Sequence, residues 1–575
     1  HQQGYWVSSP TSSKPILLTY GYRLPRRGNS LDQANRDSYS RLDDGDPHTF
    51  WKSNPYLDPA FTGVSYKKSP QWIVLDLKVP KRLNELRIQW MEPYATRFRV
   101  EYVESDRVDG VWRSAHQITH AKQHPGTNII RFAPFSAQKI RIDLIASSEK
   151  APADSHDRRD GMGFAVAEVS AGLTTPDGRF HDEVKHGTNN MAQTIAFVSS
   201  TDPWHRAIDQ DDRVEQPGFD LVLQRGLDQG QPVLMSTGCL YDTPDNVANE
   251  IRWLRSRHIP LRGIELGEEP DGNWGDPTQF AELYMQVASK VRSVYPDARL
   301  GGPSFQTVFE DYHEWPRRGG AWLTQFRASL ARHHRMKDFS FCSFEWYPFD
   351  NVLADPEIGL RKATRLLRKS VDRLNRLGMS GMPWFITEYG WSAYAAPAEV
   401  DLPGGIFDFE VALTALALGC ETSYLYGYEP DDVIQEIPGA WGNLLAILSR
   451  EDGVYRLPCY WGSWLLTHRL CSQAGRHFLL AVSGGDESLG AYAVKNPDGS
   501  VRLALLNRSR KPRAVRIPGG SARKEIWTYG SSQFRWTHVS EDENPEIAGT
   551  PDYTTSTSSS RLLPPFSITI VKLEP

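Results

Sequence analysis

The sequence predicts a multidomain chain in which a (β/α)8 TIM barrel lies between a β jelly roll and a C-terminal β-sandwich. Three observations carry this. Residues 28–175 hold short alternating strands and turns with no helix of ordinary length, the pattern of a sandwich. Residues 176–455 change to a strand, loop, helix rhythm. After a helix over about 460–470 the period-two pattern returns and closes residues 456–575. At 575 residues the chain is too long for one core, so three domains suit its length.

Residues 1–27 are polar and Pro/Ser-rich, with one strand candidate, Pro15-Ile16-Leu17-Leu18-Thr19-Tyr20, that would belong to a β-sandwich. The clearest strands of 28–175 are 71–77, 85–90, 98–102 and 139–144. Four stretches here form a recognisable set: Leu42-Asp43-Asp44-Gly45-Asp46 through Phe50-Trp51-Lys52-Ser53, Gln71-Trp72 to Asp76-Leu77, Gly110-Val111-Trp112, and Val166-Ala167-Glu168-Val169. The segment resembles the discoidin (coagulation factor type C) jelly roll shared by family 32 carbohydrate-binding modules. That resemblance implies a binding face on the loops, serving either sugar recognition or a packed spacer. It also leaves room for a structural calcium, although Asp43-Asp44-Gly45-Asp46 is equally explained by turn chemistry.

The barrel count starts at 193–200 as strand 1, followed by the loop Thr201-Asp202-Pro203-Trp204-His205. Loops after barrel strands form the active face, so Trp204 and His205 are candidates to line a sugar pocket. Residues 232–237 read as strand 3, and 206–231 is short for a full strand 2 unit. Thr243-Pro244, Asp276-Pro277 and Asp355-Pro356 each place a capping side chain before a proline, which starts helices to about 257, 294 and 377. Residues 298–303 read as strand 5, 338–348 as strand 6 and 421–428 as strand 8, the last delivering Tyr426 or Tyr428 to the pocket floor.

Strands 4 and 7 organise the rest. In Arg262-Gly263-Ile264-Glu265-Leu266-Gly267-Glu268-Glu269-Pro270-Asp271, apolar residues alternate with acids and a glycine before proline stops the ladder. Pro383-Trp384-Phe385-Ile386-Thr387-Glu388-Tyr389-Gly390-Trp391 is again an apolar strand ending in a glutamate. Buried carboxylates are costly, and sites that move protons are where several are kept together. The separation, 388 − 269 = 119 positions, holds three βα units of roughly 40 residues each.

This pair resembles clan A of the glycoside hydrolases, and Gly267-Glu268-Glu269-Pro270 is similar to the Gly-Asn-Glu-Pro pattern of its family 39, 51 and 79 branches. The resemblance implies a retaining glycosidase with Glu269 as acid/base and Glu388 as nucleophile. It also implies sugar contacts from Glu268, Glu345, Trp346, Tyr347 and Trp391, and it identifies the C-terminal sandwich as the one that accompanies the barrel in those families. Two positions depart from the pattern in the same direction. Glu268 stands where the clan has Asn, and Glu345 where it often has His. Glu268 is expected to be protonated or paired with a cation, and the extra acids disfavour a uronic acid, leaving neutral plant or microbial oligosaccharides or polysaccharides. The rival readings are an inverting glycosidase, a catalytically silent carbohydrate-binding protein, and a metal-dependent barrel hydrolase using Glu265, Glu268, Glu269 and His205.

Composition excludes other classes. Asp+Glu 70 against Lys+Arg 65 leaves a net charge of −5, with a pI near 6.4, unlike a nucleic-acid binder. The 18 Trp and 23 Tyr suit sugar stacking as well as core packing. Cys239, Cys342, Cys420, Cys459 and Cys471 show no zinc spacing and no disulfide framework, and one or two bridges are the most they could form. No apolar run approaches the roughly 18 residues of a membrane span. No cofactor is expected to be required. A secreted or periplasmic location follows from the expected function, since no signal peptide stands in the sequence.

Overall fold

In the computed structural model of the protein, the described residues are 40–104, 112–118, 125–188, 192–202, 225–226, 229–240, 242–271, 276–306, 321–428 and 430–573. The strand candidate at 15–20 lies outside them, as do Trp204 and His205. Two compact units emerge, His1–Phe341 and Cys342–Pro575.

The first unit opens with the jelly roll: β1 (Trp51–Lys52), β2 (Gln71–Trp90), β3 (Ala95–Val103), β4 (Arg113–Ile118), β5 (Gly126–Ser147), β6 (Ala165–Thr174), β7 (Phe180–Asp182) and β8 (Ile195–Val198). Two long strands generate it. β2 and β5 run antiparallel from Gln71↔Leu144 to Trp90↔Gly126, with a register break between Asp76 and Lys81. Pro80 in that break cannot donate to the ladder, and Lys78 takes φ +67, so one hydrophobic strand becomes two differently directed halves. The first half of β2 carries β8, and the second carries β6, which continues to β1 and β7. β3 and β4 extend the sheet from the Lys139–Ser147 end of β5. Alternation then fills the core: Ile73, Leu75, Leu86, Ile88 and Trp90 join Phe98, Ile140 and Ile142 on one side. Each such fully buried side chain contributes about 1.5–3 kcal/mol relative to exposure.

The strand expected to open the barrel is therefore elsewhere. Residues 195–198 pair antiparallel with the jelly roll, Ile73↔Val198 through Asp76↔Ile195, so this sheet runs past residue 175. The reason is packing: Phe197 and Ile195 cover Trp72 and Val74, the outward face of β2. A four-residue apolar strand does not state which sheet it will join. Among the described residues, nothing before Val233 enters the parallel sheet.

That sheet is built of TIM-barrel βα units. β9 (Val233–Thr237), β10 (Leu261–Leu266) and β11 (Leu300–Gly301) are parallel in the order β11-β10-β9, and β12 (Ser304–Phe305) follows. Their crossovers are the helices Pro244–Ser256 and Pro277–Val294. Thr243 Oγ1 accepts from Asn246 N–H (3.1 Å), and Asp276 Oδ1 from Thr278 N–H (2.8 Å), as the capping signals predict. The second helix buries Phe280, Tyr284 and Val291, and the Tyr284 hydroxyl donates to Asp338 O (2.7 Å). On its other side Leu283 packs against Tyr56 and Leu57, and Gln279 Nε2 donates to Pro70 O (2.7 Å), which seats jelly-roll loops on a barrel helix.

In the second unit β13 (Cys342–Trp346), β14 (Trp384–Tyr389) and β15 (Thr422–Leu425) are parallel, joined by the helices Pro356–Leu374 and Leu402–Ala417. The chain closes on a six-stranded antiparallel sheet. Its order is Phe478–Leu480, Leu489–Lys495, Val501–Asn507, Ser567–Leu573, Lys524–Tyr529, Asp552–Ser556. Val515 of the strand Arg513–Arg516, which pairs antiparallel with Ser560–Leu563, packs over Ile526 and Val571, completing a sandwich. Among the described residues no helix is long and apolar enough to cross a membrane, and the five cysteines are free thiols.

Candidate active site

Glu269 is not on the ladder. β10 places Glu265 in the interior and ends at Leu266. Gly267 then takes φ +95, and a Cβ there would stand 2.7 Å from Phe280 Cζ, so only glycine fits between strand and helix. Glu268 makes one parallel bridge to Ser304, and Glu269 follows at φ +46. A left-handed conformation costs a non-glycine residue about 1–2 kcal/mol and persists only where surroundings enforce it. Here the Glu269 N–H donates to Ser304 O (2.7 Å), and its Oε1 accepts from Gln306 Nε2 (3.2 Å). Gln306 is itself fixed by donating its N–H to Asp271 Oδ1 (2.9 Å). Sequence reasoning missed Gln306; an amide 37 positions away gives no local signal. Asp271 stands in the motif quoted from the sequence but carried no predicted role.

Glu388 is aimed by a bulge. β13 and β14 pair Cys342↔Trp384, Ser343↔Phe385 and Phe344↔Ile386, and then Glu345↔Glu388, so Thr387 is an extra residue. β15 shows the same slip between Ile386 and Tyr389. An extra residue turns the strand and flips the following side chain to the other face. The consequence is two carboxyl side chains, Glu345 and Glu388, side by side at the strand ends. The Tyr347 hydroxyl donates to Glu388 Oε2 (2.9 Å), and its ring meets Tyr426 edge-on (6.5 Å, 79°). Burial, then the charges of Glu388 and Glu345, push the Tyr347 phenol well above its ordinary range, so it remains a donor.

The other predicted residues divide. Tyr426 is half-buried beside this group, while Tyr428 is 49% exposed. Trp346 and Trp391 are corrections. Trp346 is 1% exposed, lies flat on Phe407 (5.7 Å, 1°) and donates its Nε1–H to Ser370 Oγ (3.3 Å). Successive strand residues face opposite ways, so Glu345 on one face sends Trp346 into the helix layer. Trp391 is 3% exposed among Phe349, Phe407 and Gly359, whose missing side chain leaves room for the indole. Neither ring is a sugar platform.

The jelly-roll acids lie in a network of turn hydrogen bonds. Asp44 Oδ1 accepts Asp46 N–H (2.9 Å), Asp44 Oδ2 accepts the Thr49 hydroxyl, and Asp46 Oδ1 accepts His48 N–H (2.9 Å). Glu168 accepts Gly45 N–H (2.6 Å) and meets His186 Nδ1 (3.0 Å). Hydrogen bonds that its ring donates to Asp182 and Glu168 push His186 up to about 10, so it supplies the positive charge at neutral pH. Asp44, Asp46 and Glu168 are satisfied by turn chemistry and an imidazolium, whereas burial pushes the fully enclosed Asp43 carboxyl up to about 8.

Residues 28–155 match the F5/8 type C domain family, and the chain carries that domain. No curated protein matches the sequence. Among solved structures, the backbone is similar to the catalytic domain of GH30 xylanase C from Talaromyces cellulolyticus, at 12% identity over 58% of this chain and 66% of that one, TM-score 0.35. It is also similar to the GH51 arabinofuranosidase from Xanthomonas axonopodis pv. citri, at 14% identity over 62% of this chain and 78% of that one, TM-score 0.41. A third likeness is to chitosan-binding module 1 from the chitosanase/glucanase of Paenibacillus sp. IK-5, at 18% identity over 27% of this chain and 99% of that one, TM-score 0.19.

Proposed function

We propose that the protein is a retaining glycoside hydrolase acting on neutral oligosaccharides or polysaccharides, with Glu388 as nucleophile and Glu269 as acid/base. The single observation that carries the reading is the bulge at Thr387, which gives a strand-end glutamate a tyrosine donor. A bulge is kept where a side chain must be aimed, and a nucleophilic carboxylate needs one oxygen held so that the other can attack. Glu388 attacks the anomeric carbon while Glu269 protonates the departing oxygen. Water then attacks the glycosyl-enzyme, and Glu269 takes its proton. Retaining glycosidases as a class hold their two carboxyls about 5–5.5 Å apart. The strained turn at Glu269, braced by Gln306, is a second support, since precise placement of a proton donor justifies its cost. On this reading the jelly roll holds the chain on carbohydrate, and the enzyme works outside the cell or in the periplasm.

The test is hydrolysis of activated aryl glycosides, covering pentopyranosides, pentofuranosides and hexopyranosides of both anomers, with the first product followed by NMR. One glycone is expected to be cleaved, releasing sugar with the anomeric configuration of the substrate. Release of the opposite anomer would sink the retaining mechanism, and silence on the panel and on polysaccharides would sink the enzyme. On the cleaved glycoside, Tyr347→Phe is expected to lower kcat by about 10- to 100-fold, since a hydrogen bond to a charged group contributes about 1.5–3 kcal/mol. KM should move far less, because the ring and its packing on Tyr426 stay; steady-state kinetics separates the two.

A further inference from the structure

Three titratable side chains outside the proposed reaction come together in the second unit. Glu399 lies in the loop after β14, Asp408 on the helix Leu402–Ala417, and Cys459 near the start of the helix Pro458–Trp464. Each is 1% exposed, and one donor atom from each lies within 4.8 Å of the others. Glycines set this geometry. A Cβ at Gly405 would stand 2.5 Å from Pro458 O, and one at Gly462 would stand 2.6 Å from Gly405 O, so the two helices touch backbone to backbone.

Two carboxylates in such a place need a positive partner. Glu399 Oε2 accepts the Trp391 N–H (2.6 Å). Asp408 has less: what it faces is the Glu399 carboxyl, with which it shares a hydrogen bond, and the Cys459 sulfur, and no donor outside this group reaches its oxygens. The Tyr389 hydroxyl donates to the Asp408 backbone oxygen (3.4 Å), not to its carboxylate. Among the described residues no Lys, Arg or His forms an ion pair with either acid.

We infer that Glu399, Asp408 and Cys459 bind one divalent transition-metal cation, zinc in the first instance. Donors bonded at about 2.0–2.3 Å to one tetrahedral ion stand about 3–4 Å apart, within the span found here. A sulfur ligand excludes calcium and magnesium, which take oxygen. The dication offsets the two carboxylates, and Cys459, whose sulfur otherwise lies 3.2 Å from Leu445 O, releases its proton to solvent on binding. Full burial makes the site a closed, structural one that ties the loop after the Glu388 strand to the helices behind it. The sequence hid it because the ligands stand 9 and 51 positions apart.

The test is zinc content by elemental mass spectrometry of the full chain purified without metal-affinity resin, before and after refolding with zinc or with EDTA. About one zinc per chain is expected, falling below about a tenth in Asp408→Asn and Cys459→Ser, with zinc-refolded wild type melting about 5 °C or more above the EDTA-refolded protein. Refolding the wild type with cobalt is expected to give sulfur-to-cobalt charge-transfer absorption, a readout needing no variant. A wild type that takes up no zinc, zinc retained in both variants, or a cobalt form without the sulfur band would each overturn the site. The first of these would leave a proton shared by the two acids in its place.

Discussion

Replacing Glu388 with alanine is expected to lower kcat on the cleaved aryl glycoside by a factor on the order of 10⁴, the scale on which one member of a catalytic unit fails. Sodium azide is expected to restore turnover, because the cavity left by the carboxylate admits a small anion at the anomeric carbon. The product should be the glycosyl azide of inverted configuration. Glu269→Ala should behave differently, with a loss that is small for a good leaving group and large for a poor one, since only the latter needs a proton. The fold should survive both. Glu388, at the end of β14, and Glu269 are both only half-buried. Circular dichroism and melting temperature provide that control. An alanine variant at 388 retaining more than about a tenth of wild-type kcat would remove it from the nucleophile's role.

What the sequence could and could not disclose follows range of interaction. The helix starts at Thr243-Pro244, Asp276-Pro277 and Asp355-Pro356 were legible because capping is decided within three residues. β10 and β14 were legible because period-two alternation is local. The two glutamates were legible by type and position, yet what aims them was not. Thr387 becomes a bulge only against β13 and β15, and Glu269 becomes left-handed only because Ser304 and Gln306 hold it. The same limit explains β8, whose destination was settled by Trp72 and Val74 more than a hundred residues earlier, and Trp346, whose side of the sheet depends on its neighbour's. Local patterns named the elements; pairing across the sheet decided which side chains reach the site.

Replacing Arg508 with methionine is expected to destabilise the protein by about 3–5 kcal/mol, the cost of leaving a buried charge without its partner. The stranded charge is Glu410, 1% exposed on the helix Leu402–Ala417. Arg508 Nε donates to its Oε2 (2.8 Å), Nη2 donates to Oε1, and the Tyr492 hydroxyl donates to Oε1 (2.6 Å). Arg508 follows the strand Val501–Asn507 and Tyr492 sits on Leu489–Lys495, so a barrel helix and the C-terminal sheet share one fork of hydrogen bonds. Gly490 makes the room: a Cβ there would stand 2.8 Å from Glu410 Oε1 and 2.9 Å from Arg508 Nη2. The melting temperature should fall by roughly 6–20 °C for that loss. kcat measured well below the transition should stay unchanged, because neither Glu269 nor Glu388 is touched. Adding Glu410→Leu should recover most of the stability, since an apolar pair replaces a buried ionic one at little net cost. A single Arg508→Met variant melting within about 2 °C of wild type would show that the fork contributes little to stability. A double variant no more stable than the single would show that the loss came from packing around the arginine stem, not from the stranded carboxylate.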